Sequence, residues 1–253
     1  MSALHKPHCV RNFPVSYYPS DDVMRSRSVG GAVFAGAVDV PAPTARLVAD
    51  WNREITSRLC LEAGDVEELS LARARARWPD YGRCVQAMAD WTRTLGLQGT
   101  LASCDVALMA CRGARYHHDG AQYGGMAFCN LFLSEDKGLD LHFPATGQRI
   151  PISRGTVVLF DTCQPHAVIE RHSEGFNSDN FSTAHDCNQV FLSWELPIED
   201  ALVGHVLGVA FDLDPSTALL LNDAQVWLNG TRANLCPDSG QWLQADPALS
   251  GPC

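Results

Sequence analysis

Basic residues are scarce in this 253-residue chain, where 19 Lys and Arg stand against 29 Asp and Glu for a formal net charge of −10. A chain so poor in cations has no basic stripe with which to displace the counterions of a phosphate backbone, so no nucleic-acid partner is expected. Long apolar runs are missing too. Nothing approaches the roughly 20 residues of a membrane helix, and the opening Met1-Ser-Ala-Leu-His-Lys-Pro has no apolar stretch of the kind that directs export. No membrane partner is expected, and the cytoplasm is the simplest setting. The ten cysteines form no C-x-x-C pair, which counts against a zinc knuckle or a compact disulfide framework. Those inside apolar runs read as small buried hydrophobes. H-E-x-x-H is absent as well, leaving a zinc-hydrolase reading without its usual motif. There is no internal repeat and no low-complexity linker.

What remains is an ordinary globular composition, 46% hydrophobic and 19% charged, at a length that suits one domain with a sizeable core. Residues 1 to about 28 read as irregular. Val29–Val40 reads as a strand stopped by Pro41-Ala42-Pro43. Thr44 can cap a helix in which Leu47, Val48, Trp51, Ile55 and Leu59 recur at helical spacing, and a second helix is expected from Tyr81 to Leu95. Both stripes are packing faces. The alternating arginines of Leu71–Trp78 read as a solvated helix surface rather than an anion site. From Cys104 the texture changes to short strands: Cys104–Cys111, Ala114–Asp119, Met126–Ser134, Leu139–Phe143, Gln148–Ser153, Thr156–Asp161, His166–Arg171 and Gln189–Leu196. Such spacing suits a sandwich or barrel. Short helices are expected at Pro215–Leu221 and around Ala224–Leu228.

The chemistry-bearing stretch lies inside the strand region. It begins Tyr116-His117-His118-Asp119-Gly120, runs through Gly155-Thr-Val-Val-Leu-Phe160-Asp161, and ends Gln164-Pro165-His166-Ala167-Val168. A His-x-Asp pair with one distant His is the donor set of the 2-His-1-carboxylate triad, which binds Fe(II) on one face and leaves open positions for reactants. Strand alternation puts His117 and Asp119 on one side and His118 on the other, so His117, Asp119 and His166 are the expected ligands.

Together with Gly138-Leu-Asp-Leu-His-Phe143-Pro144, the Gly147 turn and Ile150–Ser153, this segment resembles the core of the iron(II)/2-oxoglutarate-dependent oxygenases, most closely their prolyl-hydroxylase-like branch. The resemblance implies a mainly β (α+β) chain, a double-stranded β-helix (jelly-roll, cupin-like) with buttressing helices. A single oxygenase domain would span 1–253, with an N-terminal strand and helices in 1–103, the β core in 104–198 and a C-terminal elaboration in 199–253. It also implies Fe(II), 2-oxoglutarate and O2 as cofactors and cosubstrates, with hydroxylation of an unactivated C–H coupled to succinate formation. Retention of Asp119 disfavours halogenation. An amino-acid-like or natural-product small molecule is the expected substrate, and peptides stay open.

One departure stands out. The position matching the family's 2-oxoglutarate-clamping base falls near Asn188, and no base stands there. Arg171 is the nearest candidate, although alternation from His166 requires a bulge to turn it inward, and Arg115, in phase with His117, is the fallback. Asn130, a polar residue within an apolar strand, would contact either cosubstrate or backbone. The segment His172–Cys187 is either a lid or an exposed insertion. Two other readings keep the fold: a cupin-like metal dioxygenase that needs no 2-oxoglutarate, and a non-enzymatic binding module.

Overall fold

The computed structural model describes residues 14–244. In chain order the strands are β1 (Val15–Ser20), β2 (Val23–Ser28), β3 (Val33–Ala37), β4 (Val66–Leu69), β5 (Asp105–Cys111), β6 (Ala114–His117), β7 (Met126–Phe132), β8 (Leu139–Phe143), β9 (Gln148–Pro151), β10 (Thr156–Asp161), β11 (His166–Glu170), β12 (Gln189–Pro197), β13 (Gln225–Leu228), β14 (Thr231–Leu235) and β15 (Trp242–Gln244). The helices are α1 (Ala45–Glu54), α2 (Leu71–Arg75), α3 (Tyr81–Thr94), α4 (Gly120–Tyr123), α5 (Ala201–Leu207) and α6 (Pro215–Ala218).

Strands β5 to β12 pass back and forth between two antiparallel sheets. One sheet runs β3-β10-β7-β12-β5-β4 and the other β6-β11-β8-β9. This order makes the core a double-stranded β-helix, a jelly roll. A third sheet, β15-β14-β13-β1-β2, joins the two ends of the described chain.

Alternation along each strand explains how the layers stack. On β7, Cys129 and Leu131 face the helices and join Leu47, Trp51, Met88, Leu159 and Leu192 in one apolar cluster. Phe132 faces the other way, into a second cluster with Val158, Phe160, Phe143 and Phe191 between the sheets. Helices α1 and α3 therefore cover the outer face of the larger sheet, and Trp91 of α3 sits so close over Gly36 that a β-carbon there would lie 2.6 Å from its indole nitrogen. Thr44 caps α1 by accepting the Leu47 N–H. The expected stripe continues past α1 only as a π-helical turn, Ile55–Leu59. All eight described cysteines are free thiols, and no helix among the described residues is long and apolar enough to cross a membrane.

Two local expectations are overturned. Residues 14–28 are not irregular but form the β1–β2 hairpin, while 1–13 lie outside the described residues. Ala224–Leu228 is not a helix, because β13 pairs with β1. A run as short as Val226–Leu228 carries no period that separates helix from strand, and a strand partner some two hundred residues upstream decides it. Helix α5 and strands β4, β14 and β15 were not anticipated.

The hairpin is held by a buried ion pair. Arg27 and Asp161 are both fully buried, with Nη1 and Nη2 donating to the two carboxylate oxygens at 2.6 and 2.8 Å. Arg27 Nε also donates to the Gly124 carbonyl at 2.9 Å. Removing one partner of such a pair leaves the other charge buried and uncompensated, at a cost of about 3–5 kcal/mol. Arg27→Ala is accordingly expected to lower unfolding free energy by about that amount in urea. Arg93→Ala, which removes an exposed helical pair with Asp90, should cost less than about 0.5 kcal/mol. Equal losses in the two variants would show that the buried pair does not anchor the hairpin.

Candidate metal centre

The three expected ligands come together at the wall of a cavity between the two sheets. His117 ends β6, Asp119 precedes α4, and His166 opens β11. One donor atom from each lies within 4.8 Å of the other two. His117 Nε2 is 3.7 Å from Asp119 Oδ1, and His166 Nε2 is 3.5 Å from Asp119 Oδ2.

Backbone carbonyls aim both imidazoles. Nδ1 of His117 lies 2.7 Å from the Arg115 carbonyl and Nδ1 of His166 lies 2.9 Å from that of Gln164. A carbonyl can only accept, so in each ring Nδ1 carries the proton and Nε2 presents its lone pair to the shared point. This is the outer-shell arrangement that orients metal-ligating histidines. Burial, reinforced by the His117 charge, pushes the His166 pKa well below its ordinary value, and burial raises that of Asp119 against the opposing pull of His117. Imidazole nitrogens around a desolvated carboxylate form a donor set that gains from a divalent cation, and two His with one Asp fit Fe(II).

Asp119 reaches this place by a different route from strand alternation. Strand β6 stops at His117, the Asp119 N–H donates to the Thr162 carbonyl at 2.8 Å, and the chain turns into α4. His118 is carried away from the triad. It accepts the Gly120 N–H and packs 4.9 Å from Trp242, and burial, with the His117 charge, brings its pKa down to about 4.

The basic residues expected at the cosubstrate end are elsewhere. Arg171 is bound on the outside by Asp136, with bonds of 3.0 and 2.7 Å, and by Asp140 at 3.0 Å, and it does not line the cavity. Arg115 is turned out by a β-bulge. His117 stands opposite His166 and Ala114 opposite Val168, so β6 fits one extra residue into this interval. Ala114 and His117 then share the inner face, whereas Arg115 is exposed over the Phe176 ring. Asn188 accepts from Arg112, whose other bonds go to the carbonyls of Phe181, Ser182 and His185. That strap holds the 172–187 segment against its own apolar contacts, with Phe181 buried over Gly113, where φ is +68° and a β-carbon would strike the ring. No residue of 172–187 lines the cavity.

Asn130 does line it. Its Oδ1 is buried and has no hydrogen-bond partner among the described residues, so the expected backbone contact is not made. The remaining polar wall was not foreseen: Glu67 and Glu68 from edge strand β4, Ser193 and Glu195 from β12, and Gln122 and Tyr123 from α4. Burial, with the carboxylates of Glu195, Asp119 and Glu68 nearby, pushes the Tyr123 phenol up. Alternation along β12 could have flagged Ser193 and Glu195. Val66-Glu67-Glu68-Leu69 carries no such signal, since glutamate is depleted in strands.

The cavity measures about 400 Å³ and no Lys or Arg lines it. A metal fits the triad. No cationic side chain in this wall is placed to pair with the far carboxylate of 2-oxoglutarate.

The fold and this cluster define a jelly roll with a His-Asp-His group able to hold a metal ion. No family model matches the chain, and no curated protein matches it. Among solved structures, the viral collagen prolyl hydroxylase of Paramecium Bursaria Chlorella virus-1, in its 2OG complex, is similar at 8% identity over 66% of this chain and 96% of that one, with a TM-score of 0.39. A truncated form of the same hydroxylase is similar at 11% identity over 66% and 90%, with a TM-score of 0.38. Likenesses at this level carry no argument about function, which rests on the residues of the cavity itself.

His117→Ala and His166→Ala are each expected to weaken Mn(II) binding, followed by anaerobic titration, by more than about a hundredfold, beyond what loss of an outer-shell partner costs. His118→Ala should leave it unchanged. Equal loss in all three would place the metal elsewhere.

Proposed function

We propose that this protein is a non-haem Fe(II) oxygenase that hydroxylates an unactivated C–H bond of a small molecule. The observation that carries the reading is the convergence of His117, Asp119 and His166 on one point in the wall of a cavity between the two sheets. Fe(II) bound there supplies activation of O2 at the positions the protein leaves open.

The chain's own residues do the positioning. The Arg115 and Gln164 carbonyls hold both imidazoles with Nε2 forward, and Asp119 contributes the single compensating charge. Phe128, Phe132, Phe160 and Phe191 form the apolar wall of the space beside the triad. At about 400 Å³ the cavity admits a small molecule or one side chain of a peptide.

The sequence resemblance implies 2-oxoglutarate as cosubstrate. One observation favours a second reading, oxygenation without 2-oxoglutarate: the absence of any cation in the cavity wall.

Oxygen uptake and succinate release by the Fe(II)-loaded protein, measured over a panel of amino acids and small metabolites with and without 2-oxoglutarate, separate the two. Succinate formed in step with product supports the dependent form, and uptake without 2-oxoglutarate supports the other. In either form, Asp119→Gly should abolish substrate-dependent uptake while preserving the wild-type circular dichroism and melting transition. Full turnover in that variant would remove Asp119 from the metal site.

A further inference from the structure

We propose that the cavity selects a substrate bearing a protonated amine or guanidinium, held by the carboxylates of Glu68 and Glu195 with Asn130 Oδ1 accepting one of its N–H groups. The oxygenase reading enters only in making this cavity the substrate site.

Charge is the first support. Glu67, Glu68 and Glu195 line the cavity with no Lys or Arg among the lining residues. A divalent metal offset by Asp119 leaves one positive charge against the carboxylates of Glu68 and Glu195, so the space stays anionic even when loaded. Several acidic residues elsewhere are paired with arginine, among them Asp50 with Arg77, Glu54 with Arg58, Asp136 with Arg171 and Asp212 with Arg25. No ion pair among the described residues engages the side chains of Glu67, Glu68 or Glu195. Glu195 is half-buried, and burial, with Asp105 and Glu68 adding to it, raises its pKa. Such a carboxylate gains from an incoming cation.

Asn130 is the second and independent support. It is only 6% exposed, and its Oδ1 is a buried acceptor with no donor. An unpaired buried acceptor is destabilising, and an N–H from a ligand removes that cost. The register sets it beside the Glu195 carboxylate. Asn130 pairs with Ser193 and Phe128 with Glu195, so Asn130 and Glu195 occupy neighbouring rungs on the inner face. Glu68 pairs with Met109 on the far side of the same sheet. An ammonium or guanidinium supplies several N–H donors together with the compensating charge.

The test uses the full chain loaded with redox-inert Mn(II) and three matched probes: 1,5-diaminopentane, 1,5-pentanediol and glutarate. By calorimetry at low salt the diamine should bind at least about fivefold tighter than the diol, and glutarate should not bind. Added salt should shrink the preference. Glu195→Gln, Asn130→Leu and the exposed Glu68→Gln, which folding does not depend on, should each weaken diamine binding at least about threefold, as loss of a charge-assisted contact requires. Diol and Mn(II) affinities should hold. A diamine bound no tighter than the diol, glutarate bound better than either, or a preference unchanged in all three variants would overturn the proposal. Mn(II) titration in the absence of probes stands apart: a chain that prefers the diamine but binds no metal would sink the oxygenase and leave the cation pocket.

Discussion

The buried carboxylate of Asp161 is the constraint on which the rest of this structure depends. It takes two bonds from Arg27 and one each from the backbone N–H groups of Gly30 and Cys163, at 2.6 and 2.9 Å. A charge so deeply desolvated is tolerable only with this degree of pairing and hydrogen bonding. The consequence is a rigid exit from β10. The turn that follows touches the other two parts of the site, since the Thr162 carbonyl receives the Asp119 N–H and the Gln164 carbonyl receives Nδ1 of His166. Thr162 Oγ1 ties the same turn to the carbonyls of Tyr123 and Met126 at 2.6 and 2.9 Å. One ion pair at the N-terminal hairpin thereby positions two of the three metal donors.

The third donor depends on a bulge. A regular β6 would alternate Arg115 and His117 inward together. The extra residue opposite Ala167 breaks that phase, keeps His117 inward across from His166 and sends the guanidinium out. Bulges re-aim side chains near functional sites in this way. Here the change removes a cation from the cavity as well as orienting a ligand.

The arginines of the core are spent on structure. Arg27 closes the hairpin, Arg112 straps the 180s loop, and Arg171 locks the β7–β8 connection through Asp136 and Asp140. None faces the triad. Glutamates on β4 and β12 line the cavity with no cationic side chain beside them in its wall. A wall of that kind repels dicarboxylates and attracts cations.

The sequence by itself determined the eight core strands, nearly to the residue, and the identity of the three residues that the structure gathers, because short apolar runs between Gly and Pro turns and a His-x-Asp spacing are local signals. It also determined both covering helices, through the period of Leu47, Trp51, Met88 and Trp91. Only tertiary structure decided that Val226 belongs to a strand, since its partner lies at the other end of the chain. The same holds for the fates of Arg115 and Arg171, which turn on a single bulge and on two aspartates that reach the arginine across neighbouring strands. Glu67 and Glu68 became part of the cavity only when an edge strand with no strand-like composition paired with β5. Period reports which face a residue occupies, but a one-residue slip in register inverts that face, and register is set by contacts between strands that are distant in the chain.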